Sequence, residues 1–309
     1  MAVPVIIDTD PGIDDAVAIA LALASPEVDV LALTTLGGNV GIELTTRNAE
    51  DLLALAGRSD IPVTAGASRP LVAATVLDAA DAHGRNGFGG IELPRASCAP
   101  DPRTAVDLMV EVIEASSSPV TVLAIGPLTN LAVLHAAHPT TFARIDRIVM
   151  MGGGMHRLGN DALAAEFNVS YDPEAAARVF AAGVPIVMVG LDVTEKAVVR
   201  RTDIEPLRAA GPLSQAVASM IDCFMEMDVE WNGERCCLHD AVAMAHLLDP
   251  SLLELRPYWV GVECTGTLTR GMTVVDVRNF TKQPPNAQVA VDVDARRFVE
   301  LLVARLGPA

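Results

Sequence analysis

Four carboxylates fall within eight residues in the run Asp8-Thr9-Asp10-Pro11-Gly12-Ile13-Asp14-Asp15. Like charges gathered in a folded chain raise one another's pKa, so such a group calls for a cation or a shared proton. A donor set made only of oxygen points to a hard metal, calcium or magnesium. Calcium accepts about 6–8 oxygens in a tolerant geometry, whereas magnesium requires a near-ideal octahedron and keeps more of its water. An acidic helix start with ordinary capping is the alternative, but capping uses one or two acids rather than four.

The elements around the run decide where its side chains point. Val3 to Ile7 is short, apolar and partly β-branched, the pattern of a buried strand. Pro11-Gly12 makes a turn, and a helix is expected from Ile13 to about Ser25, where Pro26 ends it. Asp8 and Asp10 then lie at the carboxyl end of a strand on one side, since strand side chains alternate. Asp14 and Asp15 occupy the first helical turn, where the dipole favours anions. Adjacent helical residues diverge by about 100°, so one of these two is expected on the metal and the other on a neighbouring ligand.

Composition excludes several classes. The formal net charge of −17 argues against nucleic acid or an anionic membrane as partner and fits a small neutral or cationic substrate. The hydrophobic fraction is 51%, yet no uncharged run of about 18 apolar residues occurs and no basic start precedes an apolar stretch, so a soluble cytoplasmic protein is expected. Cys98, Cys223, Cys236, Cys237 and Cys264 are odd in number and form no Cys-x-x-Cys pair, as reduced thiols would.

Strand and helix signals alternate along the chain. After the first unit come Val28 to Thr34, Ile42 to Ala56, Pro62 to Ala65, Thr104 to Ala115, Val120 to Ile125, Leu128 to Ala137, Arg147 to Met151, Pro173 to Ala182 and Pro185 to Val189. This predicts an α/β fold with a doubly wound, mainly parallel central sheet, Rossmann-like, with extra helices near the active site. Gly37-Gly38-Asn39, Gly126-Pro127-Leu128-Thr129-Asn130, Gly152-Gly153-Gly154 and Asp192 each follow a strand, which places them with Asp8 and Asp10 at the edge where such folds bind ligands. Ala67 to Pro102, containing His83-Gly84-Arg85-Asn86-Gly87, is too long for a plain connection and reads as functional or disordered. Leu213 to Asp249 reads as helices broken at Asn232-Gly233, and Tyr258 to Glu263, Met272 to Val277 and Ala287 to Val291 as late strands before a helix from Asp294 to Leu306. No linker or repeat divides the chain, so residues 1–309 are expected to form a single domain.

The acidic run, Gly126 to Asn130, Met151-Gly152-Gly153, Glu166-Phe167-Asn168 and Leu238-His239-Asp240 together resemble the inosine-uridine-preferring nucleoside hydrolase family. The match runs in order from residue 5 to about residue 290. The resemblance implies a calcium-dependent N-glycosidase that splits a ribonucleoside into ribose and free base, usually as a homodimer or homotetramer. Its roles transfer to Asp10, Asp15 and Asp240 as carboxylate ligands of Ca2+, with Ile125 contributing its backbone carbonyl. Asp14, Glu166, Asn168, Asn39 and Asn160 would cradle the ribose. By the residues alone, Asn39 and Asn160 are equally well read as turn residues beside glycine.

Breaking an N-glycosidic bond builds positive charge on the sugar and negative charge on the base, and needs an activated water. Calcium can gather the ribose hydroxyls and that water and lower the water's pKa. Asp10 is the candidate general base. His239 and His83 are the candidate proton donors to the base, both of a type suited to acid work near neutral pH. Glu166 and Asn168, two apart, would face the same way in an extended segment. A histidine before the last metal ligand goes with nonspecific or pyrimidine-preferring family members, and Met227 and Trp231 are candidates against the base, although a Met and Trp at i and i+4 are more often core. A haloacid-dehalogenase-like phosphatase would need a downstream lysine in a chain whose only lysines are Lys196 and Lys282. A dinucleotide-binding oxidoreductase would need Gly-x-Gly-x-x-Gly after the first strand, which is missing. A noncatalytic calcium or ribose binding protein of the same fold would share the ligands but have no use for Asp10 as base or His239 as acid.

Overall fold

The computed structural model describes residues 2–97, 101–227 and 234–308. Six strands run parallel: β1 (Val3–Thr9), β2 (Val28–Thr35), β3 (Val63–Ala65), β4 (Val120–Ala124), β5 (Ile145–Met151) and β6 (Ile186–Val189). They lie in the order β3-β2-β1-β4-β5-β6, and the sheet continues with Ala287–Val293, parallel to β6, and Leu253–Tyr258, antiparallel at the edge. The chain leaves β1 toward β2 on one side and returns to β4 on the other. The carboxyl ends of β1 and β4 therefore flank the switch point where a doubly wound sheet opens a crevice.

Alternation on β1 builds two cores. Val5 and Ile7 face a cluster with α1 (Ile13–Leu23), α2 (Ile42–Leu55) and the helices Pro212–Met227, His239–Leu248 and Ala295–Leu306. Ile6 faces the opposite cluster, with the helices Ala105–Ala115, Thr129–Ala137 and Pro173–Phe180. Helix α1 is buried from Ile13 to Ala22 because it lies between the sheet and the helices Pro212–Met227 and His239–Leu248, which explains why its sequence is apolar on every side. Among the described residues no helix is long and apolar enough to cross a membrane.

Most predicted elements appear within two residues of their expected limits, with further strands added. The late strand expected at Tyr258 to Glu263 is present as Val260–Val262, paired with Thr273–Val275 in a separate ribbon, and Leu253–Tyr258, not expected from the sequence, joins the main sheet. The edge strand carries Glu254, Arg256 and Pro257 and lacks an apolar run, which an edge position tolerates. Within the stretch read as helices, Arg235–Cys237 forms a short strand against Val198–Arg200.

Asp8 and Asn130 join the first two strands to the far core. The Asp8 Oδ1 accepts from Thr34 Oγ1 at 2.7 Å and Asn130 Nδ2 at 2.8 Å. The same Asn130 Nδ2 donates to Thr35 O at 3.1 Å, and its Oδ1 accepts from Ala67 N at 2.9 Å, at the root of the long loop. Asp8 is thus a strand-to-strand tie below the site, and Asn130 in the Gly-Pro-Leu-Thr-Asn motif is its partner. Asn130→Ala should cost about 2–3 kcal/mol by stranding buried groups, read as a lower urea midpoint with an unchanged slope.

Candidate active site

Asp10 follows β1 directly, and the close approach of two glycines shapes its surroundings. A side chain at Gly126 would place its Cβ 2.5 Å from Asp10 Oδ1, and one at Gly38 would collide with Oδ2. Asn39 fixes the other oxygen by donating its backbone N–H to Asp10 Oδ2 at 2.7 Å. Asp10 Oδ1 is buried and has no hydrogen-bond partner.

Asp15 folds back beneath the first turn of α1. Its Oδ1 accepts from Thr9 Oγ1 at 2.5 Å, and its Oδ2 accepts from Gly12 N at 2.9 Å and Asn39 Nδ2 at 3.0 Å. Helical spacing led to the expectation that Asp14 and Asp15 would diverge. Instead, carboxylate oxygens of Asp14, Asp15 and Asp240 all lie within 4.8 Å of one another, because Asp15 turns back to cap the helix. Asp240 reaches the group from the first turn of its helix.

These acids are held away from their ordinary titration range. Burial, then Asp15, push Asp10 well up, and burial followed by Asp14, Asp15 and Asp10 does the same to Asp240. Burial, then Asp14, raise Asp15 to about 6, burial raises Asp14, and burial takes Asp8 to about 7. A divalent cation would relieve all of these but Asp8 together. The residues fit such an ion: Asp14, Asp15 and Asp240 bring hard oxygens together, while the predicted ligand Asp10 stands outside that group and contributes a buried Oδ1 without a partner.

Beside this cluster lies a cavity of about 470 Å³ lined by Asp14, Asn39, His83, Asn160, Glu166, Asn168, Met227, His239, Asp240 and the Ile125 segment. It does not reach Asp10 or Asp15, which are fully buried and are joined to its lining through hydrogen bonds from Asn39; Trp231 lies outside the described residues. The carbonyl of Ile125 accepts from Asn168 Nδ2 at 3.0 Å, as Met151 O does at 3.2 Å, so the amide nitrogen of Asn168 is occupied and its oxygen remains for a ligand.

The extended segment expected at Glu166 and Asn168 is in fact the start of the helix Phe167–Tyr171, with Glu166 as its cap. Glu166 accepts from Asn168 N, Val169 N and Gly153 N, and burial raises it to about 7. Capping binds the residue into the fold while its side chain still borders the cavity. Asn160 Oδ1 accepts from Phe167 N at 3.0 Å. Asp78, Asp81, Asp161 and Phe167 line the cavity without having been singled out from the sequence. Their loops stood out by length, but nothing in an exposed Asp distinguishes a rim from a surface.

The two histidines differ. His83 ends the short helix Ala80–His83, and its Nδ1 accepts the Ile13 N–H at 3.1 Å. Burial pushes His83 down to about 4, so it stays neutral near pH 7, against the expectation of an acid poised there. His239 Nδ1 sits 2.8 Å from Thr194 Oγ1, and burial lowers it too, opposed by Asp14.

A switch-point crevice with a buried all-oxygen cluster, amide-bearing side chains and two histidines defines a hydrolase of small polyhydroxylated substrates. The chain belongs to the inosine-uridine preferring nucleoside hydrolase family, whose model matches residues 5–300. It is a ribonucleoside hydrolase, and hydrolases of this family are metal-dependent. It is 50% identical over 309 residues, 99% of each chain, to the pyrimidine-specific ribonucleoside hydrolase RihA of Salmonella agona. Among solved structures, it is similar to a plant nucleoside hydrolase, 35% identical with a TM-score of 0.92 over 100% of both chains. It is also similar to the purine-preferring ribonucleoside hydrolase of Gardnerella vaginalis, 32% identical with a TM-score of 0.91 over 98% of both.

The raised carboxylates make the metal-free chain bind more protons folded than unfolded. Its stability should therefore fall as pH rises from the unfolded value near 4 through about 6 and 7. Thermal melts in chelator should show that decline between pH 5 and 8, and a saturating divalent cation should remove the part due to the acid cluster while leaving the part due to Asp8.

Proposed function

We propose that this hydrolase uses calcium and prefers pyrimidine ribonucleosides, with the roles distributed as the cavity arranges them. The observation that carries the reading is the buried, unpartnered Oδ1 of Asp10 next to Asp15, which itself lies with Asp14 and Asp240 in a group of carboxylate oxygens within 4.8 Å of one another. Asp10, Asp15, Asp240 and the second lone pair of the Ile125 carbonyl would hold the ion. When bound, calcium orients the vicinal hydroxyls of ribose and lowers the pKa of the attacking water.

The protein's own groups do the rest. Asp14 and the oxygen of Asn168 accept hydrogen bonds from ribose hydroxyls, and Glu166 and Asn160 border the sugar. Asn39 donates to Asp10 and Asp15, so its contribution to the sugar is made mainly by aligning those acids. Asp10 Oδ1 takes a proton from the water as its oxygen adds to C1′. The electron pair of the broken bond passes to the base, which His239 assists by proton donation. Met227 faces the base from the helix Pro212–Met227, with Trp231 as its sequence neighbour in that role.

Similarity to a pyrimidine-specific relative over nearly the whole chain supports the base preference, together with His239 directly before Asp240. Calcium is favoured over magnesium by an all-protein donor set of three carboxylates and a backbone carbonyl. A homodimer or homotetramer in the cytoplasm completes the reading, the location in keeping with cysteines that are odd in number and form no Cys-x-x-Cys pair.

A panel of ribonucleosides with calcium, followed by reducing-sugar release, should show uridine and cytidine cleaved faster than inosine; no release from any of them would overturn the reading. Asp10→Asn should lose about 10²–10⁴-fold in kcat while remaining folded by circular dichroism. His239→Ala should harm uridine far more than 4-nitrophenyl riboside, whose leaving group departs without a proton.

A further inference from the structure

The Ile13 N–H is one of the four at the start of α1, from Gly12 to Asp15, that lack a helical partner. It donates to His83 Nδ1 at 3.1 Å, a bond spanning 70 residues of sequence. A backbone N–H can only donate, so Nδ1 must be the bare nitrogen of the ring and the proton must sit on Nε2. The contact depends on Gly12: a Cβ there would stand 2.7 Å from His83 Nδ1.

The ring is fixed in other ways as well. Phe224 stacks on it with centroids 5.2 Å apart and planes 19° from parallel. Its loop is bound to the Pro11 turn by Asn48 Nδ2, which donates to Pro11 O at 3.0 Å and Asn86 O at 2.9 Å. Asn86 in turn accepts from Phe88 N and Gly90 N. The charged groups around the imidazole are Asp14, 3.9 Å from Nδ1, and Asp15, with His239 across the cavity.

We propose that His83 serves as a neutral hydrogen-bond donor in a single tautomer, its Nε2–H aimed at the departing base, and that Ile13 N–H and Phe224 are the positioning groups that hold it so. The inference rests on the hydrolase reading and sharpens it. As the bond between C1′ and the base nitrogen breaks, its electron pair spreads over the ring and onto a carbonyl oxygen, where Nε2–H stabilises it. His83 keeps its proton throughout. The proton that the base finally takes comes from His239 or solvent, balancing the one that Asp10 removes from water. A fixed donor engages an acceptor beside the glycosidic nitrogen, which is the 2-carbonyl in uracil and cytosine and the less strongly accepting N3 in a purine.

Two measurements separate this from the underlying activity. In the calcium-loaded enzyme with ¹⁵N-labelled histidine, the resonance lost in His83→Gln should show an Nε2–H tautomer at neutral pH. An Nδ1–H tautomer or a doubly protonated ring would overturn the proposal even if nucleosides are cleaved. Ile13 is the first helical residue, where proline is tolerated, so Ile13→Pro removes the N–H, and Ile13→Ala controls for the lost side chain. The proline variant should lose about tenfold or more in kcat for uridine beyond the alanine variant, with 4-nitrophenyl riboside affected equally in both. Equal losses on the two substrates would reduce the contact to a structural one. His83→Gln, which retains an N–H at the same reach, should recover much of the activity lost in His83→Ala; no recovery would mean that His83 gives up its proton.

Discussion

Asp10, Asp14, Asp15 and Asp240 are buried together at the carboxyl ends of parallel strands, and this concentration of negative charge is the constraint that the surrounding structure answers. Burial alone would drive each acid to protonate. The fold opposes that by supplying donors: Thr9, Gly12 and Asn39 to Asp15, Asn39 again to Asp10, and the open end of α1 to the pair that begins it. Among the described residues, these donors leave Oδ1 of Asp10 bare, as Oδ2 of Asp8 is below it. On the proposed reading a cation completes the arrangement, and Asp10 is then available to accept a proton from water. Stability and chemistry are thus coupled at a single atom, in a strained electrostatic setting of the kind expected of functional sites.

That coupling was legible in the sequence to the extent that it is local. The acidic run, the strand before it and the helix after it are contiguous, so period and turn residues were enough to place Asp10 at a strand end and Asp14 and Asp15 in a first turn. The recurrence of glycine and amide residues after β2, β4 and β5 located the crevice for the same reason. Asp8 was not interpretable from sequence because its partners, Thr34 and Asn130, are remote along the chain and meet only once the sheet forms. Glu166 and Asn168 were placed correctly at the cavity on an extended geometry that they do not have, since a five-residue helix leaves too short a pattern to detect. The edge strand Leu253–Tyr258 was missed because an edge does not demand apolar residues.

The two sides of the cavity are built differently. The sugar side stands on strand ends and helix starts, braced by backbone hydrogen bonds that cross the sheet's switch point. The base side comes from the long loop carrying His83 and from the helix Pro212–Met227, joined by the stack of His83 on Phe224. Precision there relies on a few ties, namely Ile13, Asn48 and Asn86, rather than on regular pairing. Such a division lets one half of the site stay constant while the other varies.

The relatives bear on the same division. A plant nucleoside hydrolase and a purine-preferring bacterial one superpose on this chain with TM-scores of 0.92 and 0.91, while a pyrimidine-specific enzyme is 50% identical to it. A purine-preferring enzyme thus shares this chain's backbone while a relative half identical to it is pyrimidine-specific, so if the proposed pyrimidine preference holds, the fold alone does not set it. On the proposed reading it lies in side chains that touch the base, and Phe224 and Met227, from the helix Pro212–Met227, are aromatic and thioether surfaces that distinguish shape better than hydrogen-bond pattern. Polar discrimination is then open to the histidines and to Asp78 and Asp81 on the rim, and a donor whose tautomer is set by the backbone of α1 meets an acceptor on the base in one fixed orientation.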